Sequence, residues 1–394
     1  MSKSMIRDVP RDHPLLVQFR EDPYPLYKYL LAAAPVQRNE LLEAWTVARY
    51  ADVMTVLTDP RFSADRTSIS PDGYEVAKSM LVSDPPDHTR LRTLVQKAFT
   101  PRMVDQLRPR IQGIVDDLLD RALANGGEFD LVEDLAYPLP VIVIAELLGV
   151  PAEDRATFHD WSATLAASLD PLVSSDLMDR AWTSRDALHT YLRGIIAERR
   201  RTPKSDLISA LVAVEERGDT LREPELVVMC TLLLIAGHET TVNLIGNGML
   251  ALLRHPDQLA RLRDEPQLLS TAVEELLRFD PPVQMTGRLL LEDVQLGGQS
   301  IEAGEFVLPL LGAANHDPAQ FPEPHKLDIT RNPNPHVAFG RGIHFCLGAP
   351  LARVEGQIAI GSLVKRCANL RLNGDPKRRD QITLRGLSSL PVAA

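Results

Sequence analysis

The stretch Phe339-Gly340-Arg341-Gly342-Ile343-His344-Phe345-Cys346-Leu347-Gly348 runs directly into Ala349-Pro350-Leu351. Two glycines precede the cysteine and one follows it. Glycine adopts backbone angles closed to other residues, so this spacing predicts a loop folded tightly around one sulfur. Pro350 suits a first helical turn, and a long helix is expected from about Ala349. Backbone N–H groups at a helix start favour negative charge, which marks Cys346 as a stabilised thiolate and a soft anionic metal ligand. Two other chemistries fit less well. A dinucleotide fingerprint would need a third glycine where Phe345 stands, inside a βαβ unit that the flanking sequence does not supply. Zinc would need a second pair of ligands near His344 and Cys346.

Working outward, the 394 residues are 44% hydrophobic and 24% charged, the composition of an ordinary globular protein. A net charge of -10 and the lack of a basic tract argue against nucleic acid as a partner. Cys230, Cys346 and Cys367 are odd in number and far apart, so a disulfide framework is not expected and a reducing, cytoplasmic compartment is. Cys230 and Cys367 read as small buried hydrophobes. The segment Met1–Pro14 is rich in charge and offers neither a signal-peptide core nor an anchor. The longest apolar run, Leu226–Ala236, is short of the roughly 20 residues that span a bilayer. No membrane is expected as a partner.

Hydrophobic periodicity predicts a mainly α chain with small sheets. A short helix and strands, among them Trp45–Tyr50, fill Pro23 to Phe62. Helical spacing runs from Thr89 to Leu147 and from Ala152 to Glu216, with Pro101, Pro138, Pro140 and Pro151 as breaks or first turns. The strongest helix spans Arg222 to Arg254, apolar on nearly all sides and therefore buried. Another covers Gln267 to Leu277, followed by strand-like pieces with turns at Gly297-Gly298 and Ala303-Gly304. A Pro-rich loop runs from Phe321 to Pro335, and Asp380–Ala394 reads as a closing hairpin. No repeat or linker divides the chain, so a single domain over 1–394 is expected.

Inside the buried helix lies Ala236-Gly237-His238-Glu239-Thr240-Thr241. A zinc-protease helix would need a second histidine at Val242. An acid and hydroxyls in mid-helix need hydrogen bonds or a function, because burying them bare is costly. A threonine bonding back to its own helix is the plain alternative for Thr240. Glu275-Leu276-Leu277-Arg278 places an acid and a base on one helical face, a pattern that alone also describes a solvated surface pair.

Together these segments resemble the cytochrome P450 superfamily, soluble bacterial type, from about Pro23 to Pro391. The cysteine loop matches the family's haem-binding signature at Phe339, Gly342, His344, Cys346 and Gly348. The resemblance implies a triangular, mostly α-helical domain with small β-sheets, and haem b ligated by the Cys346 thiolate, which pushes electron density onto iron and favours O–O cleavage. It implies an acid–alcohol pair in Glu239 and Thr240 that organises proton delivery, with Gly237 loosening the helix to admit dioxygen. It implies propionate donors at His88, Arg92, Arg288 and His344, and cofactor contacts at Ala236, Gly237, Phe339 and Gly348. Glu275 and Arg278 become a buried structural pair. The family's third member there is an arginine in Phe321–Asp328, where this chain has Lys326, which cannot reproduce a bidentate guanidinium contact.

By the same resemblance the reaction inserts one atom of dioxygen into a hydrophobic small molecule, by hydroxylation or epoxidation. Pocket walls are expected from Thr67–Ser83, Leu165–Asp179, Leu232, Ile235, Ala236, Val283, Gln284, Met285 and Leu387-Ser388. The chain carries no flavin or iron–sulfur segment, so a ferredoxin or flavodoxin with its NAD(P)H reductase is expected as electron donor. Arg90, Lys97, Arg102 and Arg341 are candidates for meeting an acidic partner. A haem-thiolate peroxygenase or isomerase would turn over without that partner, and a haem sensor would oxidise nothing.

Overall fold

The computed structural model describes residues 14–65, 78–124, 126–215 and 221–394. Helices dominate. The first half holds α1 (Pro14–Glu21), α2 (Tyr24–Ala33), α3 (Tyr50–Thr58), α4 (Asp87–Ala98), α5 (Pro101–Leu123), α6 (Pro138–Leu148) and α7 (Arg155–Ala167). The second half adds α8 (Ser175–Arg201), α9 (Leu207–Glu215), α10 (Glu223–Arg254), α11 (Pro256–Asp264), α12 (Leu269–Phe279), α13 (Leu311–Ala314) and α14 (Ala349–Arg366). Twelve short strands accompany them among the described residues. The described chain forms two compact units, one from residues 63–106 and 140–239, the other from 14–62, 107–139 and 240–394.

In the first unit α7 packs on α8, and both α8 and α4 pack on α9. Ser174 caps α8 by accepting a hydrogen bond from the Leu177 N–H, satisfying a donor that a helix start leaves open. Arg199 near the other end donates to Asp206 at 2.6 Å and to the Gly149 carbonyl at 2.8 Å, which holds the start of α9 against α8.

The second unit contains a five-stranded sheet of order β1 (Val36–Asn39), β2 (Ala44–Val47), β8 (Phe306–Pro309), β5 (Arg288–Leu290) and β3 (Phe62–Ser63). Strand β2 runs antiparallel to β1 and parallel to β8, with Trp45 opposite Val307. Its core joins Val47, Val53, Leu57, Val307, Leu311 and Val337. The segment expected to be strand through Tyr50 is shorter, because Tyr50 opens α3 with its backbone N–H on the Asp317 carboxylate at 2.8 Å.

Two further expectations are corrected. The helical run expected through Leu147 is interrupted by β4 (Glu128–Asp130), which pairs with β12 (Pro391–Ala393) in a sheet completed by β9 (Arg371–Leu372). The tail is therefore no self-paired hairpin: β11 (Leu387–Ser389) pairs with β10 (Lys377–Arg378), while β12 goes to β4 and β9. Asp130 explains the switch. Its carboxylate accepts from the Ser389 hydroxyl at 2.5 Å and the Leu390 N–H at 3.1 Å, turning the chain between the two sheets. The remaining strands, β6 (Val294–Leu296) and β7 (Gln299–Ile301), form the small hairpin whose turn is Gly297-Gly298.

Helix α10 is continuous for 32 residues and begins and ends where Pro224 and His255-Pro256 predict. It is long and apolar enough to cross a membrane by length and composition, and 61% of its most apolar window is buried inside the protein. Residues 241–252 are buried on every side, whereas Leu232, Ala236 and Thr240, one turn apart, are partly or fully accessible. Leu233, Ile235 and Gly237 beside that stripe are also partly accessible.

The Pro-rich loop after α13 is organised by two buried residues of α12. Arg278 donates to both Glu275 oxygens at 2.8 and 2.9 Å, and to the Asn315 and Pro324 carbonyls at 2.8 and 2.9 Å. Neither side chain has any exposure. Glu275 also accepts from the Asp328 N–H at 3.0 Å and from Asn334 at 3.1 Å. The third cation is Arg331, whose Nε lies 3.2 Å from Glu275 Oε2. This corrects the expectation at Lys326, which offers Arg278 only its carbonyl while its ammonium faces exposed Glu323 at 3.8 Å. An arginine five residues further along reaches the same corner because the loop folds back over α12. Arg331→Leu should lower the unfolding free energy by about 2–3 kcal/mol, the cost of hydrogen bonds lost from a buried charge. Lys326→Ala should stay within about 0.5 kcal/mol of the parent. Urea midpoints of the two variants compare them directly, and equal midpoints would return the corner to Lys326.

Glu355 on α14 is wholly buried, and burial outweighs the Thr241 hydroxyl to push its carboxyl up to about 8. The folded chain thus holds this proton more tightly than the unfolded chain, whose glutamates titrate near roughly 4.3. Stability contributed by the neutral carboxyl is present at low pH and is lost as pH rises toward about 8. Glu355→Gln cannot ionise, so melting temperatures of variant and parent should diverge in the variant's favour between pH 5 and 8, values set by that window. Parallel pH profiles would show that the buried carboxyl is ionised and paired.

Candidate active site

The cysteine loop closes as its glycines predict. Gly340 and Gly342 have φ of +68° and +69°, and a Cβ on Gly342 would stand 2.7 Å from the Leu57 carbonyl, so only glycine fits there. A 3-10 turn, Gly342–His344, carries the chain to Cys346, whose N–H donates to the Phe339 carbonyl at 2.9 Å. Gly348 differs from expectation: its φ of −79° is ordinary helical backbone, and α14 starts at the next residue. Of the three cysteines Cys346 is exposed and the other two are buried. Burial pushes the Cys230 thiol up to about 12 and raises that of Cys367. Only Cys346 is placed to present a thiolate.

Arg353, one of the residues that sequence reading missed, lies on α14 with its guanidinium 4.6 Å above the Phe339 ring. It donates to both oxygens of Glu274 at 2.6 and 2.8 Å. In the same unit Arg288 is buried at the start of β5 and donates to the Gly287 carbonyl at 2.8 Å, and His344 is half-buried. Val283 is half-buried, and Met285 and Leu387 are buried. Gln284 is committed to structure, accepting from the Tyr27 hydroxyl and donating to the Pro281 carbonyl, both at 2.8 Å.

In the first unit His88 and Arg92 share one face of α4, four residues apart. Burial first, and then the Arg92 charge, lower the His88 pKa. Gly237 lies inside α10, which is continuous from Glu223 to Arg254. Its missing side chain admits Ile144 of α6, whose atoms would lie 2.9 Å from a Cβ there. Glu239 is buried, with Oε1 3.4 Å from His238 Nε2. His238 Nδ1 lies 2.9 Å from the Leu234 carbonyl, a contact that requires the proton on Nδ1 and leaves Nε2 facing Ser162 at 3.3 Å and Glu239. Ser162 and His238 were not legible as members of this group, because only folding brings α7 beside α10. Arg90 pairs with Glu225 at 2.5 Å and stays partly exposed, and Lys97 and Arg102 are exposed. Of the expected pocket wall Thr67–Ser83, residues 67–77 lie outside the described residues.

The donor set fits a haem. Within the second unit an accessible thiol stands before a helix start, and Arg288 and His344 supply cationic or hydrogen-bonding side chains.

The Cytochrome P450 family profile matches residues 43–391. Cytochrome P450 monooxygenase PikC of Streptomyces venezuelae is 48% identical over 95% of this chain and 91% of its own length. Vitamin D(3) 25-hydroxylase of Pseudonocardia autotrophica is 46% identical over 95% and 94%. The crystal structure of P450BioI in complex with hexadec-9Z-enoic acid ligated acyl carrier protein superposes with a TM-score of 0.91 at 42% identity, covering 96% of this chain and all of that one. With the cysteine loop, the α10 acid and hydroxyl and the buried Glu275–Arg278 pair in place, this chain belongs to the cytochrome P450 family and is a monooxygenase of the bacterial type.

Proposed function

We propose that this monooxygenase holds haem b through the Cys346 thiolate and hydroxylates or epoxidises a hydrophobic small organic molecule. The observation that carries the reading is the Cys346 loop, which presents one accessible sulfur ahead of α14 in a chain whose other thiols are buried. When bound, the haem supplies the redox chemistry of dioxygen activation. His88, Arg92, Arg288 and His344 answer its propionates, and Ala236, Gly237, Phe339 and Gly348 lie along the cofactor.

The chain's own part in the chemistry is to handle protons and exclude water. Thr240 stands on the accessible stripe of α10, where its hydroxyl can hold a proton-donating water, and buried Glu239 passes protons toward it. Leu232, Ile235, Ala236, Val283, Met285 and Leu387 are the substrate-facing residues on this reading. Their apolar character, and relatives named for vitamin D(3) and solved with a fatty acyl chain, support a hydrophobic substrate. Electrons come from a separate ferredoxin or flavodoxin with its NAD(P)H reductase, met by Arg90, Lys97, Arg102 and Arg341. The three unlinked cysteines support a cytoplasmic location. Both units are assembled from separated stretches of chain and share α10, which supports a single folding domain.

The reduced carbon monoxide complex of the parent should absorb at the position diagnostic of thiolate ligation. Cys346→Ala should lose that band, and Cys230→Ser and Cys367→Ser should keep it. A band retained in Cys346→Ala would assign the ligand elsewhere.

Thr240→Ala should bind haem and substrate as the parent does, since neither depends on the hydroxyl. Product formed per reduced nicotinamide consumed should fall several-fold, with the missing electrons recovered as hydrogen peroxide. A product ratio equal to the parent's would make Thr240 a helix residue bonded to its own backbone.

A further inference from the structure

Adjacent acids of α12 serve two different loops. Glu275 organises the Pro-rich loop, whereas Glu274 faces the segment that enters the cysteine loop. Glu274 is met by Arg353 through both carboxylate oxygens, at 2.6 and 2.8 Å, and by His336 Nε2 at 3.0 Å. His336 accepts from the Ala338 N–H at its Nδ1, 3.2 Å away, so its proton sits on Nε2 and is donated to Glu274. The Arg353 guanidinium lies 4.6 Å above the Phe339 ring, and the carbonyl of that same Phe339 accepts the Cys346 N–H at 2.9 Å. A continuous set of contacts thus runs from α12 through α14 to the backbone of Cys346.

The charges in this set are held on. Burial would raise the Glu274 carboxyl, yet the hydrogen bonds from Arg353 and His336 and the charge of Arg353 hold it down to about 2. Arg353 is raised chiefly by its hydrogen bond to Glu274, and the negative charge of Cys346 raises it further, so the sulfur lies within the field of the guanidinium. Side-chain exposures of 32% for Arg353 and 26% for Glu274 leave that field only partly screened by water.

We propose that Arg353 is a positioning residue for Cys346. Seated by Glu274 and stacked on Phe339, it fixes the carbonyl that receives the Cys346 N–H and holds a permanent positive charge on the ring next to the cysteine loop, which makes a thiolate-bound iron easier to reduce, while Glu274 offsets part of that charge. The inference rests on Cys346 being the iron ligand. Positive charge near a metal favours its reduced state, and an anion nearby does the reverse.

The two partners therefore predict opposite shifts. Redox titration of the substrate-free holoenzyme should give a lower midpoint potential for Arg353→Gln and a higher one for Glu274→Gln. Arg353→Lys keeps the charge but not the planar fork and should lie between Arg353→Gln and the parent. Damage to the loop alone would move Arg353→Gln and Glu274→Gln in the same direction, and that result overturns the proposal. So do unshifted potentials in variants that keep the thiolate band of the carbon monoxide complex. If Arg353→Gln does not retain haem, Glu274→Gln and Arg353→Lys decide alone: a raised and a lowered potential support the proposal, and any other pair overturns it. A parent without the thiolate band removes the ligand assignment itself, a failure distinct from variants that keep the band and do not move.

Discussion

The buried ion pair between Glu275 and Arg278 is the constraint on which the rest of the functional region depends. Neither side chain has exposure, so water cannot compensate for a lost partner, and each oxygen and N–H must be met by protein. The chain meets them by wrapping residues 315–334 around α12, with three carbonyls on Arg278 and a backbone N–H, an asparagine and Arg331 on Glu275. Asn315, whose carbonyl serves Arg278, also accepts the Val337 N–H at 2.8 Å through its side chain. The cysteine loop begins two residues later. Its position is thus inherited from the pair, which is an organising role more than a stabilising one.

Buried acids in the second unit show how partners, rather than burial, decide charge. Glu274 stays ionised because Arg353 and His336 meet it, whereas burial pushes up Glu355, which is met by the Thr241 hydroxyl. Asp280 is as buried as Glu355, yet Arg385 and Arg378 hold its pKa below the ordinary value. Arg385 in turn reaches the Glu21 carbonyl at 3.0 Å, so this charged centre also anchors the end of α1. Glu355 and Asp280 would look alike in a count of buried carboxyls. Their chemistry differs because the low dielectric amplifies whichever neighbour is present.

Helix α10 combines two environments in one element. Its C-terminal half is enclosed on all sides and serves packing. Its N-terminal half leaves Leu232, Ala236 and Thr240 accessible and turns Glu239 inward to His238. A helix with one exposed stripe can offer a hydroxyl to solvent while keeping the adjacent acid dry, since neighbours in sequence are about 100° apart around the axis. Monooxygenase chemistry needs both, because the proton must arrive where water is otherwise excluded.

The sequence by itself determined the family, the long helices and the identity of the cysteine loop, because these depend on local signals: glycines at Gly340 and Gly342, Pro224 and Pro256 at helix ends, and apolar periodicity. It also determined that Glu239, Thr240, Glu275 and Arg278 would share the helices they do. Tertiary structure alone decided which partners those residues meet. Arg331 took the corner expected of Lys326 because the loop doubles back; β12 left β11 for β4 because Asp130 waits 259 and 260 positions earlier in the chain; Gly237 meets Ile144 because α6 lies against it. Arg353 and Glu274 gave no signal in the sequence, since an arginine and a glutamate 79 residues apart are two surface charges until folding sets one against the other across Phe339. Local chemistry is written in short patterns, whereas electrostatics depends on distances that only the closed chain supplies.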